Sequence, residues 1–184
     1  MPRLSEPLPP DPCFRRYGTR PFPPYRYVPT LNPHPCADPA GHSYEPPGTP
    51  PRRPRLPPPD RWEESEEYLF GADLYNHAYW WEAHETWESI WQSSDKSGPQ
   101  GRFLQALIQV SAAHLQRHVG SVEGATRLLE RSRTHFDFVQ GRVPETYMGL
   151  NLPDFRERVD RYFSSETGAG FPFLLLTVRT RPAR

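Results

Sequence analysis

Cysteine is scarce. The 184 residues hold only Cys13 and Cys36, and both lie in the first third of the chain. Neither belongs to a C-x-x-C pair, which excludes a zinc ribbon and a thioredoxin-like redox motif. The rest of the chain must fold without disulfides, as suits a reducing compartment. An excess of either charge is also missing, with 22 basic and 22 acidic side chains. A nucleic-acid partner is therefore not expected, since such binders carry a basic footprint. Long apolar runs are absent too. The longest is Phe173-Leu174-Leu175-Leu176, far short of the ~18 residues of a membrane span, so no membrane partner is expected. The N-terminus lacks the apolar stretch of a signal peptide, and a cytoplasmic location is the expectation. No glycine-rich phosphate loop and no alternating strands are visible.

Proline, by contrast, is abundant and unevenly placed: 20 of the 25 prolines fall within residues 1–60. Proline lacks an N–H and has a fixed φ, so it is excluded from helix and sheet interiors. Residues 1–59 are expected to be a disordered proline-rich tail with local polyproline character. Residues 60–165 are expected to form an all-α bundle of about five helices, a normal size for one small domain. Residues 166–184 are read as a C-terminal extension, its segment 171–178 an extended strap on the bundle. P-x-x-P occurs at 51/54 and 54/57, without an arginine at the flanking spacing of an SH3 ligand. A stiff spacer is the favoured reading, and recruitment of a protein partner through the tail is the alternative.

The helices announce themselves by caps and periodicity. Asp60 with Glu63 has the spacing of a capping box for the first, whose apolar positions are Trp62, Leu69, Phe70 and Leu74. The second runs from about Ala78 to Gln92 and the third from about Gln100 to His118, stopped by Gly120. Ser121 is the expected cap of the fourth, which carries Ala125, Leu128, Leu129, Ser132, Phe136 and Val139 on one face. Pro153 suits the first turn of a fifth, with Phe155, Val159 and Tyr162 as its stripe.

The second helix holds the chemistry. It reads Trp80-Trp81-Glu82-Ala83-His84-Glu85-Thr86-Trp87-Glu88-Ser89-Ile90-Trp91. At ~100° per residue, with His84 at zero, Trp91, Trp80 and Trp87 fall near about −20°, −40° and −60°, and Trp81 and Glu88 near about +60° and +40°. His84 and Glu88 therefore share the aromatic, expected buried face. Glu85 sits at its edge, and Glu82 points away. In the third helix His114 and His118 lie on the stripe of Phe103, Leu107 and Val110. If the two helices pack face to face, His84, Glu88, His114 and His118 converge. Such a set can ligate a divalent metal such as Zn, Fe or Mn, with Glu85 as general base for a bound water. The string H-E-x-x-E is neither the H-E-x-x-H of zinc proteases nor the E-x-x-H of di-iron bundles. A buried His–Glu pair that needs no metal competes with it and is the favoured reading.

The run Tyr75-Asn76-His77-Ala78-Tyr79-Trp80-Trp81-Glu82-Ala83-His84-Glu85-Thr86-Trp87-Glu88-Ser89-Ile90-Trp91 resembles the signature of domain-of-unknown-function family 309. Residues 104–113 resemble its second block, and Gly120, Gly124-Ala125 and Leu128-Leu129 its third. The resemblance spans about residues 66–140 and carries over Glu82, His84, Glu85, Glu88 and Trp91. It implies a small helical bundle of unknown activity, in a family sometimes labelled a predicted metal-dependent hydrolase. Three functions stand open: a structural or binding module with a buried His/Glu pair, a metal-dependent hydrolase, and an interaction protein acting through its tail. No substrate is legible.

Overall fold

In the computed structural model, residues 4–50, 52, 54–164 and 168–177 are described. A 3-10 helix at Pro59–Glu64 leads into α1 (Glu66–Asn76), α2 (Trp80–Trp91), α3 (Pro99–His118) and α4 (Val122–Gln140). A two-residue hairpin follows, β1 (Thr146–Tyr147) paired antiparallel with β2 (Leu150–Asn151), and then α5 (Leu152–Ser164). The chain is all-α in class, as expected.

The first cap is not where the sequence pattern put it. Three prolines carry the chain into a 3-10 turn that has already absorbed Asp60, and Arg61 breaks it at φ −118°. The N-cap of α1 is Ser65, whose hydroxyl accepts the Tyr68 N–H at 3.2 Å. At the other end of α1, Ala78 takes the left-handed conformation (φ 65°). The Tyr79 N–H then reaches back to Leu74 O at 2.9 Å. This is a Schellman stop with alanine where glycine is usual, and it delays α2 to Trp80. Gly71 lets the two helices meet. A Cβ there would lie 2.2 Å from Trp87 Nε1, so only glycine admits the indole, whose N–H donates to Tyr68 O at 3.3 Å.

Around this contact the core assembles from Trp87, Tyr68, Tyr75, Phe103, Phe136 and Phe155, all fully buried. Ser111 of α3 donates to Trp80 O at 2.7 Å, so α3 crosses α2 at its first turn. On α4 the expected stripe is buried at Ala125, Leu129, Ser132, Phe136 and Val139, with Leu128 at its edge.

Residues 168–177 run extended across the bundle as the expected strap; Val178 lies outside the described residues. Asn76 holds the strap from both sides, donating to Leu174 O at 3.0 Å and accepting the Leu174 N–H at 2.8 Å. Leu176 bridges to Leu150, and the Thr177 N–H donates to Gly149 O at 2.8 Å.

Residues 4–50 differ from the disordered spacer expected of them. Their backbone is irregular, as proline demands, yet it lies against α1, α2 and the strap. Val28 is fully buried, and Pro7 and Pro35 are buried as well. Phe22 stacks on Tyr79, centroids 4.9 Å apart, and Phe14 on Phe173 at 4.3 Å. The Tyr17 hydroxyl joins the segment to the strap, donating to Leu174 O at 3.0 Å and accepting the Leu176 N–H at 2.8 Å. A proline-stiffened chain loses less conformational freedom on docking, and side chains of the helices supply the acceptors that a sheet neighbour would. Further along, Pro57 O accepts from Gln100 at 2.8 Å. Pro51 and Arg53 of the P-x-x-P region lie outside the described residues.

Candidate functional site

The face that α2 turns to the core is Trp80, Ala83, Trp87 and Ile90. That line is centred near −80° on the wheel with His84 at zero, at ~100° per residue. His84 is thus on its flank and Glu88 farther round. Their side chains are 27% and 35% exposed, so the expected buried pair is a half-exposed one. The wheel was pulled off centre by Trp81 and Trp91. Trp81 packs beneath Tyr27 and His34 of the N-terminal segment, both centroids at 5.3 Å, and Trp91 lies under Lys96 at 4.3 Å. Neither tryptophan belongs to the core between the helices.

His84 stands between two carboxylates. Its Nδ1 is 3.5 Å from Glu85 Oε1 and its Nε2 is 3.2 Å from Glu88 Oε2. Burial pushes the Glu85 carboxyl up; His84 opposes this and Glu88 adds to it. One ligand atom from each residue can be chosen so that all lie within 4.8 Å of one another. One nitrogen and two carboxylate oxygens are a fitting donor set for a divalent ion. However, the two nitrogens of one ring cannot serve one ion. In this rotamer His84 bridges the two glutamates, each nitrogen facing its own carboxylate.

His114 and His118 are elsewhere. His114 is 2% exposed, stacked on Trp80 at 5.2 Å and ringed by Tyr162, Phe163 and Phe171. Its Nε2 is 3.0 Å from the Tyr75 hydroxyl. Burial and then Arg117 lower its pKa to about 3, so it is a neutral core histidine. His118 Nε2 is 2.7 Å from Ser5 O in the N-terminal segment. The expected four-residue convergence is therefore corrected: α3 meets α2 at Trp80, and the histidines of α3 pack around that ring. Without them the proposed hydrolytic set is one residue short. If Glu85 ligates, no base remains in the cluster; if Glu85 is the base, only two ligands remain.

Glu82, expected to point into solvent, is 4% exposed. The docked N-terminal segment covers it. Glu82 Oε1 accepts the Tyr27 N–H at 2.9 Å and lies 3.2 Å from His42 Nε2, while Oε2 has no hydrogen-bond partner among the described residues. One helix earlier, Asp73 does the same work. Its oxygens accept the Tyr17 N–H at 2.6 Å and the Gly18 N–H at 3.0 Å, with Arg16 Nε 3.5 Å away. Burial raises the Asp73 carboxyl, and these two N–H groups, Arg16 and His77 oppose that. Between the two carboxylates, Arg26 donates to His77 O at 2.9 Å and the Tyr79 hydroxyl to Pro23 O at 3.2 Å. Sequence reasoning missed Asp73. Its signal was a carboxylate set inside the otherwise uncharged run Leu69–Tyr75.

Residues 68–128 match the family model described as domain of unknown function (DUF309). No curated protein matches the chain.

Proposed function

We propose that this chain, which carries a DUF309 domain over residues 68–128, works as a binding module that grips an extended segment across α1 and α2. Here the segment it grips is its own N-terminal one. The observation that carries this reading is the pair of buried carboxylates, Asp73 and Glu82, which accept backbone N–H groups of Tyr17, Gly18 and Tyr27. Backbone recognition of this kind takes any sequence that presents free N–H groups in an extended chain. Aromatic contacts at Phe22 and Trp81 add the preference for an aromatic, proline-rich strand. The Glu82 of the E-A-H-E block then has a reason to be glutamate that involves no metal.

Hydrogen exchange on the full chain tests this. Asp73→Asn weakens two charge-assisted bonds, worth about 2 kcal/mol together. Amides of residues 14–20 then exchange roughly 30-fold faster, while α3 and α4 keep their protection. Equal exchange at 14–20 in the variant and the wild type would sink the proposal.

The His84, Glu85 and Glu88 cluster supports a second, narrower reading: a solvent-facing divalent-metal site on one turn of α2. His84 would then supply one nitrogen and the two glutamates an oxygen each. A bound metal there would supply a Lewis acid to water or to a ligand carbonyl.

A further inference from the structure

Where the N-terminal segment crosses α2 it leaves an open-sided cavity of about 190 Å³, with Arg20, Cys36, His42, Trp81, Glu82 and Glu85 in its wall. That is far more than one water needs. The wall is chemically uneven. Glu82 is almost fully buried, and its Oε2 has no hydrogen-bond donor among the described residues. A buried carboxylate oxygen in that state favours an N–H donor, and a cationic one most. Glu85 adds a second carboxylate. Arg20 brings the opposite charge: its guanidinium lies over the Phe70 ring, 4.4 Å from the centroid, and it has no carboxylate partner among the described residues. Phe70, Leu74 and Trp81 complete the wall with apolar surface.

We infer that this cavity binds a small zwitterion of the amino-acid type, its ammonium on Glu82 and Glu85 and its carboxylate on Arg20. The apolar surface takes the ligand's side chain. A simple amine would leave Arg20 unpaired, and a simple carboxylate would leave Glu82 unpaired and meet two like charges. The inference rests on the docking of the N-terminal segment, because that segment contributes Arg20, Cys36 and His42.

Cys36, exposed at the rim of the cavity, provides the readout, and Cys13, exposed but outside it, the internal control. The full chain is alkylated with iodoacetamide and the two sites are followed by mass spectrometry. The additives are an equimolar pool of L-amino acids without cysteine, n-propylamine, or butyrate. With a millimolar Kd, the pool at about 10 mM per component slows Cys36 about tenfold and leaves Cys13 unchanged. The amine and the carboxylate alone have little effect, and Glu82→Gln abolishes the protection. Should that variant fail to fold by circular dichroism, Glu85→Gln takes its place with the same expectation. Unchanged Cys36 reactivity in the pool, equal protection by all three additives, or full protection in the folded variant overturns the inference. If the amides of residues 14–20 exchange as fast as an unfolded chain with no additive present, the docking itself fails, which is a distinguishable result.

Discussion

Lowering the pH should unfold this domain through one histidine, His114. Its ring is buried among Trp80, Tyr162, Phe163 and Phe171, and its pKa falls to about 3. An unfolded histidine titrates near ~6.5. Between those values the unfolded chain binds a proton that the native chain refuses, so stability declines as pH falls from about 6.5 towards 3. At pH 5 the gap to the unfolded value is ~1.5 units, which corresponds to about 2 kcal/mol lost relative to neutral pH. Asp73 and Glu85 work in the other direction, because their carboxyls are raised in the fold. Their contribution is weakest once they ionise and grows as pH falls through their folded values. The wild type alone would therefore understate the effect, and a paired comparison isolates it. Urea unfolding of the wild type and of His114→Gln is measured at a series of pH values from about 7.5 to 5. The wild-type stability should fall by about 2 kcal/mol more than the variant's over that range. A direct check needs no variant: the His114 ring signals in NMR should not titrate in the native protein at pH 5. Parallel stability curves, or a His114 ring that protonates near pH 6 while the protein stays folded, would refute the reasoning.

Gly71→Ala should destabilise the bundle, because the new Cβ meets Trp87 Nε1 at 2.2 Å. Overpacking costs about 1–3 kcal/mol and the better helix propensity offsets about 1, so a net loss of up to about 2 kcal/mol in urea unfolding is expected. An unchanged midpoint would show that Trp87 yields freely. Zinc titrated into metal-free protein at neutral pH should bind one ion per chain if the second functional reading holds, and His84→Ala should abolish it. Calorimetry that shows no binding heat in the wild type, or equal binding in both, removes the metal site.

Much of the fold was legible locally. Gly120 ends α3, Ser121 precedes α4, and the α4 and α5 stripes are buried largely as their periodicity predicts. The first helix start was misread because a cap-type residue stands at both Asp60 and Ser65, and only the 3-10 turn that Pro58 caps and Pro59 opens decides between them. The site was misread for a related reason. A helical wheel treats every tryptophan as core, yet Trp81 and Trp91 are covered by a segment and by a lysine rather than by another helix.

What the sequence alone determined is the all-α class, the break in composition near residue 60 and the run within residues 68–128 that the family model matches. These follow from proline's missing donor and from apolar spacing, which act within a few residues. Tertiary structure alone decided which way α2 faces, that Glu82 rather than Glu88 is the buried carboxylate of that helix, and that His114 is a core residue. It also decided that the proline-rich segment lies on the bundle. Each of these depends on groups more than 30 residues apart in the chain, such as Tyr17 with Asp73, His42 with Glu82 and Tyr75 with His114, and no local pattern encodes which distant partner arrives.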